Sequence, residues 1–251
     1  MLEVENICKK FGGVEALASI DMTLEDGAVL GLIGPNGSGK TTFFNILTGV
    51  YAADSGSISF QGKNLTNQKP QEIMRKGVAR TFQNLRLYQR MTVFNNVWGA
   101  QHSLPDISLG ELIWANPSHE RSRREAVDQI LEATGLADLS DKLVGGLPLP
   151  QQRRLELARA LIRSPDLLLL DEPAGGMTAN ETAEMGELIR NIAAPGRTCI
   201  VIEHKMELIE GVCERICVLN FGRKIAEGEP KEVFEHPDVL EAYLGRSRPG
   251  A

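Results

Sequence analysis

The chain has 251 residues, 42% hydrophobic and 24% charged, which suits one α/β core with a subdomain and excludes a disordered or low-complexity chain. A net charge of -6 argues against a broad nucleic-acid-binding face and leaves only local basic patches to consider.

The acidic opening, Met1–Glu5, leads into no apolar stretch, so no secretory signal is expected. No apolar run approaches bilayer length either, and Leu167–Leu170 is closed by Asp166 and Asp171. Contact with a membrane would then go through a partner protein. Cys8, Cys199, Cys213 and Cys217 read as reduced cysteines of a cytosolic chain, since Cys213 and Cys217 have no second ligand pair for zinc.

In chain order, Leu2–Ile7 alternates as a strand, and Val14–Leu24 forms a second strand region closed by Glu25-Asp26-Gly27. Ala28–Ile33 is an unbroken apolar run, the pattern of a buried strand. It enters a glycine-rich loop and a helix over Thr41–Thr48 that ends at Gly49. Ser57–Phe60 with Gln61-Gly62-Lys63 predicts a hairpin, Pro70–Lys76 a short helix and Val78–Phe82 a strand. From Asn84 to about Ala160 the spacing turns helical, with loop breaks expected at Pro105, Pro117 and Gly145-Gly146. Leu167–Leu170, Thr198–Ile202 and Arg215–Asn220 return as buried strands, and Pro230–Leu244 predicts a helix pair hinged at Pro237. The last residues, 246–251, are expected to fray.

Two motifs carry chemistry by themselves. Gly34-Pro35-Asn36-Gly37-Ser38-Gly39-Lys40-Thr41 matches G-x-x-x-x-G-K-[ST] between a predicted strand and a predicted helix. Its glycines let main-chain N–H groups curl around phosphate. Lys40 would neutralise the β- and γ-phosphates, the Thr41 hydroxyl would ligate Mg²⁺, and Thr42 follows on the same first turn. Leu167–Leu170 then ends in Asp171-Glu172-Pro173, where Asp171 would hold Mg²⁺ through water and Glu172 would orient and deprotonate an attacking water.

With these in place, the sequence resembles the ABC transporter ATPases over nearly its whole length. The resemblance implies an α/β fold: a RecA-like P-loop NTPase core with an N-terminal antiparallel β-subdomain and an inserted helical subdomain. It places the β-subdomain and phosphate-loop core at 1–83, the helical subdomain at 84–160, and the rest of the core with C-terminal helices at 161–251. It implies ATP and Mg²⁺ as cofactors. It makes Phe11 the aromatic that stacks on adenine, Gln83 the glutamine that contacts Mg²⁺ and senses the γ-phosphate, and His204 the switch histidine on that phosphate.

Arg80-Thr81-Phe82-Gln83, Met91–Val97, Gln152–Leu161 and His236–Gly245 are similar to the ATP-binding subunits of branched-chain amino acid importers. That group implies a second ATPase subunit, in a heterodimer or a homodimer, beneath two membrane permeases fed by a solute-binding protein, at the cytoplasmic face of the inner membrane. Urea and short amides are cargoes of close relatives. The segment Leu85–Val97, with Tyr88, Phe94 and nearby Trp98, resembles the groove for a permease coupling helix; core packing explains each aromatic equally well.

One stretch departs from the family. Where L-S-G-G-Q or L-S-Y-G-Q is usual, this chain has Leu147-Pro148-Leu149-Pro150-Gln151. Pro148 replaces a serine hydroxyl, and Pro150 replaces a glycine and lacks a backbone N–H. Thr178 stands where the family often has an aspartate. The basic run Arg121-Ser122-Arg123-Arg124 reads first as a solvated helix start. Alternative functions are a nucleotide-binding regulatory half with little turnover, a soluble ABC ATPase acting on DNA or ribosomes, and a metabolic P-loop kinase. The single acidic cassette speaks against the second, and Gln83, Glu172 and His204 against the third.

Overall fold

The computed structural model of the chain describes residues 1–101 and 117–244. Strands β1 (Leu2–Phe11) and β2 (Val14–Leu24) pair antiparallel through a Gly12-Gly13 turn. β3 (Val29–Ile33) follows and belongs to a different sheet. β4 (Ser55–Phe60) pairs with the other edge of β1, and the two-residue β5 (Lys63–Asn64) closes an antiparallel sheet of order β2-β1-β4-β5. Gln61 and Gly62 both have positive φ, 49° and 72°, as a tight hairpin turn requires. β1 runs past the expected Ile7 because register shifts around Lys9 and Lys10 let a polar stretch keep pairing as far as Phe11 with Val14.

The second sheet contains β3, β6 (Val78–Arg80), β7 (Leu167–Asp171), β8 (Thr198–Ile202), β9 (Arg215–Asn220) and β10 (Arg223–Gly228), in the order β10-β9-β3-β8-β7-β6. All its pairs are parallel except β10 with β9. Apolar side chains alternate between its two covered faces. Leu30, Leu32, Leu167, Leu169, Ile200 and Ile202 pack with Phe43, Phe44 and the antiparallel sheet. Val29, Ile33, Leu168, Leu170, Cys199 and Val201 face the other way, against Leu157, Met185 and Ile209. Burial pushes the Cys199 and Cys217 thiols up to about 12, so they pack as small apolar groups.

Among the described residues the α-helices are α1 (Lys40–Leu47), α2 (Pro70–Arg75), α3 (Val93–Ala100), α4 (Pro117–Ala133), α5 (Leu149–Leu161), α6 (Ala179–Leu188), α7 (Met206–Val212), α8 (Pro230–Phe234) and α9 (Pro237–Leu244). α3, α4 and α5 share a core of their own, built from Val93, Val97, Val127, Leu131 and Leu155. α5 also sends Leu157 and Leu161 into the main sheet's core, which ties the two parts together.

Three expectations change. Pro117 opens α4 instead of breaking the chain, since proline suits a first turn whose N–H has no helical partner. The Val78–Phe82 strand stops at Arg80, where the chain turns away to hand Phe82 N–H to Glu156 Oε1 at 3.0 Å. β10 was not expected, because Arg223–Gly228 is a half-buried edge with no apolar run. The break expected at Pro105 and the fraying expected over 246–251 lie outside the described residues.

Register decides where the chemistry sits. Ile202 lies opposite both Leu32 and Asp171. The segments that follow β3, β7 and β8 therefore leave the sheet at one edge, its carboxyl end, which is where open α/β sheets bind ligands.

Candidate functional site

The loop leaving β3 is shaped by three glycines at φ 146°, 80° and 108°, namely Gly34, Gly37 and Gly39. A Cβ at Gly34 would lie 2.0 Å from Leu219 O, and one at Gly39 would lie 2.7 Å from Ala16 O. Side chains are therefore excluded where the loop meets neighbouring backbone. At Gly37 nothing lies within 4 Å, so the loop's outer side is open. Asn36, Gly37 and Thr41 are exposed, Thr42 is half-buried and Ser38 is buried. Lys40 is buried and donates to Gly34 O at 2.7 Å, Pro35 O at 3.1 Å and Ser38 Oγ at 3.4 Å. Burial lowers its ammonium below the usual lysine range, opposed by the nearby charges of Glu172 and Asp171.

Glu172, the first residue after β7, sits at φ 49°, a left-handed conformation costing a non-glycine residue about 1–2 kcal/mol. Its N–H donates to Ile202 O at 2.9 Å, so β8 holds it there. The carboxylate is gripped on both sides: Gln83 Nε2 donates to Oε2 at 3.0 Å, and His204 Nε2 lies 3.3 Å from Oε1. Gln83, Glu172 and His204, far apart in sequence, thus meet at one point near Lys40. Asp171 is only 3% exposed; its Oδ2 accepts from Arg80 Nη2 at 2.7 Å, and its N–H donates to Thr81 Oγ1 at 3.0 Å.

Glu203 was overlooked in the sequence. It is buried and accepts from Ala174 N–H at 2.8 Å and from His204 N–H at 2.8 Å. It staples the His204 turn to the turn after Glu172. Lys205 extends the staple to Met177 O and Thr182 Oγ1, both at 2.6 Å. Thr178 caps α6 in a reciprocal box with Glu181, a local structural duty.

Phe11 ends β1 at 44% exposure, with the Tyr51 ring edge-on at 5.2 Å and the Lys9 ammonium 5.4 Å from its centroid. Tyr51 was the second residue missed. Its only sequence signal is an exposed-type aromatic shortly after α1.

Leu147–Gln151 stands apart. Among the described residues, no hydrogen bond or ion pair joins it to the 34–42 loop. Pro148 is the exposed N-cap of α5, Pro150 lies in the helix's first turn, and Leu147 O accepts from Gln152 Nε2 at 2.8 Å. The Leu85–Val97 segment divides. Phe94 and Trp98 stack on each other at 5.8 Å beneath Arg124 and Arg123, which accounts for both rings and for two of the three basic residues of the 121–124 run. Arg121 pairs with Glu125. Tyr88 stays 58% exposed beside a groove with Phe82, Arg86, Glu156 and Arg159.

The donor chemistry fits a nucleoside triphosphate with magnesium: main-chain amides and one ammonium for phosphate, and hard oxygens of Thr41, Gln83 and Asp171 for the ion. Comparison with known proteins supports the nucleotide. The family model described as ABC transporter matches residues 17–175, and one described as branched-chain amino acid ATP-binding cassette transporter matches residues 223–248. The high-affinity branched-chain amino acid transport ATP-binding protein LivG of Salmonella typhimurium and that of Escherichia coli are each 40% identical over 251 residues, covering 98% of both chains. BraF of Pseudomonas aeruginosa, of the same description, is 38% identical over 98% of both chains. A crystal structure of an ABC transporter's ATP-binding cassette in its ADP conformation superposes with a TM-score of 0.86 at 33% identity, covering 98% of this chain and 99% of that one.

Proposed function

The chain belongs to the ABC transporter ATP-binding cassette family, and from that premise we propose that it binds and hydrolyses ATP to drive import of branched-chain amino acids through membrane permeases. The observation that carries the hydrolytic part is the Glu172 carboxylate held between Gln83 and His204 at the sheet edge that bears Lys40.

The phosphate loop, from Gly34 through Lys40 to Thr42, grips the polyphosphate. Thr41, Gln83 and Asp171 would hold Mg²⁺, which would supply charge neutralisation at the phosphate oxygens. Glu172 orients the attacking water and takes its proton; Gln83 and His204 fix that carboxylate and report on the γ-phosphate. Phosphoryl transfer asks chiefly for positioning and charge neutralisation, and the strain at Glu172 is consistent with a side chain held to one direction. The chain works beside a second ATPase subunit, non-identical in our reading, and sits at the cytoplasmic face of the inner membrane on its permease partners. No helix among the described residues is long and apolar enough to cross a membrane.

Phe11 stacks on adenine with Tyr51 bracing its edge. Base–aromatic stacking is worth about 1–3 kcal/mol. Phe11→Ala should therefore weaken ATP binding by about one order of magnitude in calorimetry. Unchanged affinity would remove Phe11 from the site.

Purification with native partners tests the whole reading. Two permeases and a second cassette should co-purify, and the reconstituted complex should take up leucine, isoleucine or valine only with ATP. Uptake of urea or a short amide in their place would shift the cargo, and recovery with ribosomes or DNA would overturn the transport role. A second reading, a regulatory half with little turnover, draws on Pro148 and Pro150; single-turnover hydrolysis at this chain's own loop separates the two.

A further inference from the structure

Asp171 is not a free carboxylate at a strand end. Arg80, from the neighbouring strand β6, reaches it with Nη2 at 2.7 Å, and the two side chains are 6% and 3% exposed. The same guanidinium uses Nη1 on Asn45 Oδ1 at 2.8 Å, within α1, and on Thr48 Oγ1 at 3.2 Å, the C-cap of that helix, which begins at Lys40. Its Cζ lies over the rings of Phe44, 5.4 Å from the centroid, and Phe82, 5.1 Å from the centroid, and Phe82 is the residue before Gln83. One planar fork thus ties the metal-binding acid to the phosphate-loop helix and to the Gln83 segment.

A buried ion pair of this kind contributes little net stability, because desolvating two charges offsets their attraction. What it does fix is direction. Only a guanidinium can span Asp171 and Asn45 with separate nitrogens while stacking on two rings; a lysine ammonium keeps the charge and loses the span. We propose that Arg80 is the positioning residue for Asp171, so that the Mg²⁺ contribution to ATP binding depends on it. The assignment rests on the nucleotide-site reading above. Arg80 acts through Asp171 and needs no contact with nucleotide.

The test is calorimetric ATP binding to the full chain in Mg²⁺ and in EDTA, for wild type, Arg80→Lys and Asn45→Ala. The readout is the ratio of the two affinities. Removing a residue that orients a metal ligand typically costs about 10–100-fold in metal affinity. In Arg80→Lys the Mg²⁺-dependent gain should shrink by about that factor, while affinity in EDTA changes by less than about threefold. Asn45→Ala, which keeps the ion pair and removes its anchor on α1, should move the ratio the same way by a smaller factor, and it decides the matter if Arg80→Lys fails to fold. Equal losses in both conditions would make Arg80 a structural residue only, and an unchanged or larger Mg²⁺ gain would overturn the proposal outright. If wild type binds no ATP, or binds it equally in both conditions, the nucleotide-site reading itself fails; if wild type shows the Mg²⁺ gain and the variants keep it in full, the Arg80 assignment alone falls.

Discussion

Glu172→Gln is expected to leave ATP binding in place and to slow hydrolysis in the assembled complex by about two to four powers of ten, the usual worth of a positioned general base. The substitution keeps side-chain volume and places no new demand on the left-handed backbone at φ 49°, which glutamine meets no worse than glutamate. It keeps an oxygen for the Gln83 amide at 3.0 Å, so the local hydrogen bonding need not collapse. What disappears is the proton acceptor. A negative charge facing Lys40 also goes, which removes repulsion from a bound triphosphate. Nucleotide should then stay bound longer, in a more persistent dimer. Phosphate release under single-turnover conditions, with light scattering for the dimer, reads both effects. A near-normal rate would mean that water is activated elsewhere, and Gln83 and His204 would then be holding the wrong carboxylate.

The legible parts of this molecule are those whose chemistry is contiguous in the chain. A glycine loop after a buried apolar run, and two acids after another, announce both the strands and what they carry. Thr198–Ile202 and Arg215–Asn220 were placed to the residue because central parallel strands must be apolar on both faces. β10 lay beyond reach for the opposite reason: an edge strand with charged residues carries no such pattern. The same limit applies inside the site. Arg80 and Asp171 are 91 residues apart in sequence, and nothing local to either says that they pair. Glu203 reads as one more polar residue beside His204 until the fold brings Ala174 N–H to it. Family resemblance points to Gln83 and His204, but their joint grip on one carboxylate is visible only in three dimensions.

Restoring the family pattern by Pro148→Ser with Pro150→Gly is expected to raise the ATPase rate of the reconstituted complex, by up to about two to four powers of ten at the affected site. In the head-to-tail dimer we propose, residues 147–151 of this chain face the nucleotide held by the partner's phosphate loop. Among the described residues, no hydrogen bond or ion pair joins them to this chain's own phosphate loop. The hydroxyl that serine would offer and the N–H that glycine would offer are both missing, and each hydrogen bond to a charged group is worth about 1.5–3 kcal/mol. The proline pair does no harm to the fold: Pro148 caps α5 in an extended conformation, with φ -58° and ψ 154°, and Pro150 occupies a first-turn position whose N–H has no helical partner. Serine at the N-cap gains about 1 kcal/mol and glycine in the first turn gives about as much back, so stability should stay level and a rate change will not be a folding effect in disguise. The complex would then turn over at two sites where one had carried the flux. An unchanged rate, with both nucleotides bound, would mean that the site borrowing Pro148–Gln151 never limits turnover, and the asymmetry would lie in the partner's residues.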